Sequence, residues 1–548
     1  MLIINEAFLY YINFDEVRMD TILILDFGSQ TTQLIGRRIR DMGVYTEIVP
    51  GDSALSAELP GPHVKGIILS GSPESVYDRG IAPDKALYDC GLPLLGICYG
   101  LHRMTFDLGG AVAPLPKREY GRIGVSICSK LSIHAHATQF LNGFRPSFTA
   151  WMSHGDTVTD LAGGFAEYAT TETGYPAVAI HDTKPWYGLQ FHPEVTHCEG
   201  GDAILAAFVT GVCGCLAGWT MERYVEEARL SLNDRVGSSP VLLLISGGVD
   251  STVTGALLLN TLRRDQVHLM YMDTGLMRKD ETTIVKASLE KLGAQNLHII
   301  HCEEEFLSAL KGVTDPEAKR KAIGDLFITI QEREVARLGL PEDYFLAQGT
   351  LYTDLIESGK GVGKKAHVIK SHHNVGSPLV AAKRAAGRII EPLDRLYKDE
   401  VRRLGHLLNI DDEIINRHPF PGPGLAVRII GEVTREKCDI LREADAVFLE
   451  ELKTRTSAAG RRLYDEIWQA FAVLLPVRSV GVAGDIRKYS WVLALRAITS
   501  ADGMSADVYP FETRDLLEIS TRITNTVPEI GRVVYDISSK PPATIEWE

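Results

Sequence analysis

Apolar runs that end in a glycine turn and lead into an amphipathic helix recur along this chain, and that order leaves few folds open. "TILILDFGSQ" (21–30), "VKGIILSGSP" (64–73), "GLPLLGICYG" (91–100) and "WYGLQFHPEV" (186–195) are such runs, with helical patterns such as "TTQLIGRRIRDMG" (31–43) between them. Strands alternating with helices build a largely parallel sheet, buried on both faces. The order restarts after the helical stretch "MERYVEEARLSLNDRVG", with "VLLLISGG", "VHLMYMDTG", "NLHIIHC" and "DYFLAQGT". A Pro/Gly cluster, "RHPFPGPG" (417–424), punctuates its end. Beyond it, "SVGVAGDIRKYSWVLALRAI" and "IGRVVYDIS" alternate around a helical segment. The predicted class is α/β: two doubly wound, mostly parallel-sheet domains followed by a small α+β C-terminal domain. The expected divisions are an extension over 1–18, domains over 19–217 and 218–416, and the last over 417–548.

A length of 548 residues requires several cores. A formal charge of −14 argues against a general nucleic-acid binder, which needs a basic face. Eight scattered cysteines make no disulfide framework, and Cys213 with Cys215 lacks CxxC spacing, so a reducing cytoplasm is expected. The opening "MLIINEAFLYYINFDEVRMD" has no basic n-region and carries acids among its apolar residues, unlike a signal peptide or membrane span. "AILAAFVTGVCGCLAGW" (203–219) is glycine-broken and reads as a buried helix and its exit.

Two turns carry chemistry. After the run at 241–245 comes Ser246-Gly247-Gly248-Val249-Asp250-Ser251, which should turn sharply into a helix beginning near Thr252. Glycines let backbone amides approach a phosphate, a helix N-terminus adds favourable partial charge, and the two serine hydroxyls can donate. A Walker loop needs GxxxxGK[ST], and this string has no lysine. A loop without it suits pyrophosphate as leaving group, with attack on the α-phosphorus of a nucleoside triphosphate. The string resembles the pyrophosphatase loop of the N-type ATP-dependent ligases, and the resemblance implies that Asp250 binds magnesium with ATP.

The second turn places Cys98 in G-x-C-x-G directly after a strand, the pattern of a nucleophile elbow that exposes the sulfur at a helix N-terminus. "QFHPEV" offers partners: His192 as base and Glu194, two residues on, to hold its imidazole. The Tyr99 amide and the amide of Gly71 or Ser72 could receive an oxyanion. "SHGD" (153–156) reads as a turn in preference to a second catalytic histidine. These residues resemble class I glutamine amidotransferases, which form a glutaminyl thioester and release ammonia. The family's G-x-C-x-G-x-Q has glutamine where this chain has His102, which puts glutamine affinity in question.

"DFGSQTTQLIGRRIRDMGVYTEI", "LAQGTLYTDLIES", "IKSHHNVG", "EPLDRLYKDEVR", "RHPFPGPGLAVRI" and "RVVYDISSKPPATIEWE" together resemble GMP synthetase, nearly collinearly from Thr21 to Glu548. The resemblance implies an amidotransferase domain, an ATP pyrophosphatase domain and a C-terminal domain that binds xanthosine 5′-monophosphate (XMP) and dimerises. It implies ATP contacts from Ser246 through Thr252. It implies XMP contacts from Arg320, Lys540, Ile545 and Glu546, and a lid carrying Lys370, His372 and His373. The substrates implied are XMP, ATP and glutamine. NAD synthetase has a similar phosphate loop but usually a nitrilase-like amidase, and CTP synthetase shares the triad but has a phosphorylating loop. A decayed amidotransferase domain, marked by His102 and Ser72 and serving only as a regulatory or binding module, is the reading from another class.

Overall fold

The computed structural model describes residues 19–55, 61–78, 81–128, 134–357, 378–483, 486–500 and 505–548. The expected N-terminal extension and the lid residues Lys370, His372 and His373 lie outside them. The chain divides into two compact units, one ending at Tyr224 and the other starting at Val225, with a short stretch from Thr353 grouped with the first.

The first unit is built on a nine-stranded sheet. Its strands are β1 (Thr21–Asp26), β2 (Tyr45–Pro50), β3 (Val64–Leu69), β4 (Leu94–Ile97), β5 (Ala111–Ile127), β6 (Ser147–Asp160), β7 (Phe165–Thr171), β8 (Pro176–His181) and β9 (Trp186–Leu189). The spatial order is β2-β1-β3-β4-β9-β8-β7-β5-β6. From β2 to β9 all pairings are parallel, and from β9 to β6 all are antiparallel. The parallel half is the one the apolar runs announced: every residue of β1, β4 and β9 is buried. The antiparallel half follows the other physical rule, in which one face meets solvent. β6 accordingly alternates buried with less buried residues over much of its length. Leu23, Ile67, Leu69, Leu94, Leu101 and Met104 form the core between the sheet and the helix Tyr99–Asp107. The run at 203–219 is a helix over Gly201–Ala206, one widened turn over Ala207–Val212, and then irregular chain. Among the described residues no helix is long and apolar enough to cross a membrane.

The second unit carries a five-stranded, all-parallel sheet of β10 (Val241–Ile245), β11 (Val267–Asp273), β12 (Asn296–His301), β13 (Phe345–Ala347) and β14 (Ile389–Ile390). Its order, β12-β11-β10-β13-β14, reverses at β10, so a crevice opens at the carboxyl end of that strand. The third sheet pairs β15 (Gln469–Ala483) with β16 (Ile486–Thr499) as a long antiparallel hairpin. β17 (Asp507–Val508) is antiparallel to β16, and β18 (Ile530–Tyr535) runs parallel to it, after the helix Thr513–Thr526. One apolar cluster runs through both sheets' packing, from Met270 and Phe306 to Ala472, Leu493 and Ile523.

Candidate functional sites

Cys98 and His192 are brought together because they follow adjacent parallel strands. Cys98 follows β4, His192 comes just after β9, and these two strands pair in parallel. Gly71 follows β3, on the other side of β4. The carboxyl edge of the sheet therefore gathers all three. Cys98 has φ 53° and ψ −106°, a conformation L-residues avoid, and it caps the helix Tyr99–Asp107. The glycines on either side are steric requirements. A Cβ on Gly96 would meet the backbone of Gly100 and Leu101, and one on Gly100 would collide with the carbonyl oxygen of Leu69. The Cys98 amide donates to the Leu189 carbonyl at 2.7 Å, tying the elbow to β9.

The Nδ1 atom of His192 lies 2.7 Å from Oε1 of Glu194, with both side chains buried. With Nδ1–H donating to the carboxylate, Nε2 is left for the sulfur. Burial disfavours charge on the ring. The Glu194 carboxylate and the Cys98 sulfur outweigh it and hold the His192 pKa well above the ordinary imidazole value. Arg38 donates to the Glu194 carbonyl at 3.1 Å and fixes the segment that presents it.

These residues border a cavity of about 710 Å³, lined by Cys98, Tyr99, His102, Ser153, His154 and His192 among others. The Tyr99 amide is the first of its helix and has no acceptor within the helix. Ser72 borders the cavity, whereas Gly71 abuts the His192 ring, where an added Cβ would stand 3.1 Å from Cε1. The string "SHGD" is not a turn. It lies within β6, and His154 is a buried wall of the cavity. Its Nδ1 is 2.7 Å from the Asp156 carbonyl, and Oε2 of Glu119 stands 3.0 Å from its Nε2 without an aligned hydrogen bond. Burial lowers the pKa of His154.

The phosphate-type loop leaves β10 at the reversal point of the second sheet. Gly247 has φ +78°, Gly248 caps the helix, and the helix starts at Val249, earlier than the expected Thr252. The acidic Asp250 in the first turn favours that earlier start, because it faces the positive end of the helix dipole. The Ser246 and Ser251 hydroxyls are 3.1 Å apart, and Ser251 also donates to the Gly248 carbonyl at 3.1 Å. Thr252 is buried and donates to the same carbonyl at 2.9 Å. Asp250 is half-exposed, and Lys398 bridges its carboxylate oxygens at 2.6 and 2.7 Å.

Each residue expected at a nucleotide-monophosphate site is engaged by its own neighbours. Arg320 is on the surface of the helix Pro316–Leu338 and pairs with Glu317. Its neighbour Lys319 is fully buried instead, bonded to Glu548 and to the carbonyls of Ala426 and Ile429. Lys540 joins Ala506 through an isolated backbone bridge. Glu546 accepts a bidentate pair from Arg428 at 2.9 and 3.1 Å and a third bond from Gln469 at 2.8 Å. Ile545 packs on Phe471, Val473 and Ala494. Trp547 is exposed, and its indole donates to Asp536. The tail is held chiefly by buried Arg496, which donates to the carbonyls of Ser538, Thr544 and Ile545. An arginine inside the apolar run "WVLALRAI" was the one local sign of it. Lys319, Arg428 and Gln469 carry no such sign.

Comparison with known proteins agrees with this architecture. Residues 23–212 match the class-I glutamine amidotransferase family, 223–326 match NAD synthase, and 456–547 match the GMP synthase C-terminal domain. A glutamine-hydrolysing GMP synthase from Prochlorococcus marinus is 47% identical over 97% of this chain and 98% of its own length. Its counterpart from Geobacillus kaustophilus is 47% identical over 97% of this chain and 100% of its own, and that from Brucella suis is 49% identical over 96% and 99%. The NAD synthase match covers only the segment around the phosphate-type loop, whereas these relatives span all three sheets. The chain belongs to the glutamine-hydrolysing GMP synthase family.

Proposed function

We propose that this chain makes GMP by joining two half-reactions: XMP, ATP, glutamine and water give GMP, AMP, pyrophosphate and glutamate. Cys98 sulfur attacks the glutamine carboxamide, and amides at Tyr99 and at Gly71 or Ser72 receive the developing oxyanion. His192, held by Glu194, gives its proton to the departing ammonia and then takes one from the water that cleaves the thioester. The observation that carries this half is the 2.7 Å contact of His192 with Glu194 beside a cysteine at φ 53°.

In the other half the C2 oxygen of XMP attacks the α-phosphorus of ATP, pyrophosphate leaves, and ammonia displaces AMP. The loop Ser246–Thr252 supplies amides and hydroxyls for the phosphates. Asp250 fits a hard divalent cation, since its carboxylate stands half-exposed beside that loop and already attracts a cationic group. Magnesium held there would offset phosphate charge. Arg320, Lys540, Ile545 and Glu546 are assigned to XMP, with Glu546 oriented by Arg428 and Gln469. A homodimer in the cytoplasm completes the reading. Exposed Val480, Val482 and Tyr489 on the β15–β16 hairpin suit a self-contact, and eight free thiols suit a reducing compartment. The test is mass spectrometry of products formed with XMP, ATP, magnesium and either glutamine or ammonium. AMP and pyrophosphate should accompany GMP with both donors, and glutamate with the first only. ADP and orthophosphate as primary products would sink it.

A further inference from the structure

Two histidines outside both candidate sites meet on the sheet of the second unit. His268 lies on β11 and His298 on β12, the strand at the sheet's edge. In the parallel register His268 stands opposite Asn296 and His298 opposite Met270, two residues further along. Both side chains therefore leave the sheet on one face. Nδ1 of His268 is 3.3 Å from Nε2 of His298, with the ring planes 6° apart and the centroids 5.5 Å apart. The centroids are farther apart than the nitrogens by nearly two ring radii, so the nitrogens lie almost on the line of centres. That line lies in both ring planes, and the rings meet end to end rather than face to face. The sheet beneath them is apolar: Leu242 stands opposite His268 and Met270 opposite His298, both buried.

An end-on contact holds one proton between the two nitrogens: one ring donates its N–H and the other accepts. A proton added at an outer nitrogen leaves this bond intact and strengthens it by charge. The next proton has only the inner lone pair to take, so it breaks the bond and sets two imidazolium rings side by side. Tetrahedral metal ligation needs lone pairs that converge on one point. These two oppose each other, and among the described residues no third ligating side chain joins them. Burial lowers the pKa of both rings, and for His268 the charge of His298 lowers it further. No other charged group among the described residues contributes to either shift. The edge is where such a bond matters, because β12 has a strand partner on one side only and none of its residues is fully buried. We propose that His268 and His298 form a proton-operated latch, in which one shared proton pins β12 to β11 and double protonation releases it. The released state binds the extra proton and the latched state does not. The latch therefore contributes its stability above the ordinary imidazole pKa of about 6.5 and loses it as pH falls below that value.

The test uses the full chain and two variants. His298→Gln keeps an acceptor but cannot be charged, and His268→Gln approaches the pair from the other side, so that either carries the comparison if one fails to fold. Histidine ring nitrogens are followed by NMR in isotope-labelled protein, the two signals being identified by their loss in the variants. Amide hydrogen exchange of the segment 296–301 is measured by mass spectrometry from pH 7 to pH 5 and corrected for the intrinsic rate. The two rings of the native chain should titrate together, in two steps more than about one pH unit apart. In each variant the remaining ring should titrate in a single step. Native protection at 296–301 should fall about tenfold more than in the variants, the equivalent of one pH unit in the linkage. Strands β10 and β13, inside the sheet, should keep theirs. Each native ring titrating alone, in one step near pH 6.5, would overturn the shared proton. Equal losses of protection in the native chain and the variants would overturn the latch. So would equal losses at β12, β10 and β13, which would mean general unfolding in acid.

Discussion

The Nε2 atom of His102 lies 2.8 Å from Oε1 of Gln190, and the Gln190 amide nitrogen lies 4.0 Å from the Cys98 sulfur. The residue that departs from the amidotransferase pattern is thus connected to Cys98 through one intervening side chain. It also borders the cavity. A glutamine at this position would offer an acceptor and two donors, where the ring offers less and has already committed one nitrogen. His102→Gln should therefore lower the Michaelis constant for glutamine roughly two- to tenfold. Ammonium kinetics should stay the same. An unchanged constant for glutamine would mean that position 102 serves only to hold Gln190.

His102 also predicts a pH effect. Burial, only partly offset by the Gln190 bond, lowers its pKa from the ordinary 6.5 to about 4. Between those values the unfolded chain binds the extra proton and the folded one does not, so stability falls as pH falls. At pH 5 this amounts to about 2 kcal/mol from this one group. In denaturant titrations His102→Gln should lose less stability between pH 8 and pH 5 than the native chain. Parallel losses in the two proteins would contradict the assignment.

Cys98→Ala should abolish GMP formation from glutamine and leave synthesis from ammonium mostly intact, because in the proposed reaction the thiol only liberates ammonia. Steady-state assays with each nitrogen donor decide it. Equal loss with both would mean a collapsed fold or a wrong nucleophile.

Asp250→Ala should suppress synthesis with either donor, since the carboxylate is assigned to metal–nucleotide binding. With ATP labelled on its γ-phosphate, the native chain should place the label in pyrophosphate. Label released directly as orthophosphate, with contaminating pyrophosphatase excluded, would rule out adenylylation.

Glu546→Ala leaves Arg428 fully buried without its carboxylate. Removing one member of such a pair typically costs about 3 kcal/mol, and a loss of that order should appear on denaturant unfolding. Glu546→Gln, which keeps an acceptor, should lose less stability but raise the Michaelis constant for XMP. Deletion of residues 540–548 should end synthesis from both donors, while Cys98 remains reactive toward a glutamine-analogue alkylator. Full ammonium-driven synthesis by the truncated chain would show that the tail takes no part in XMP binding.

What the sequence made legible was local. Strand, turn and helix are contiguous, so the Cys98 elbow, the His192–Glu194 pair and the loop from Ser246 could be read as strings. Contacts closed by tertiary folding could not. Gln190 opens the string "QFHPEV" yet gave no sign of its bond to His102. Lys398 is far from Asp250 in sequence, and Arg428 is 118 residues from Glu546. The antiparallel half of the first sheet was also missed, because β5 and β6 lack the glycine-ended apolar runs that mark parallel strands. His154 was misread as part of a turn for a related reason: Ser, Gly and Asp around it favour turns locally, and strand pairing with β5 overrides them.

The decisive measurement follows two labels through one reaction. XMP carrying heavy oxygen at C2 is incubated with ATP, magnesium and glutamine carrying heavy nitrogen in its amide, and the products are weighed by mass spectrometry. GMP should carry the nitrogen and AMP the oxygen, in equal amounts. GMP without the nitrogen, or the oxygen label found in orthophosphate rather than AMP, would contradict synthesis through an adenylylated XMP fed by Cys98.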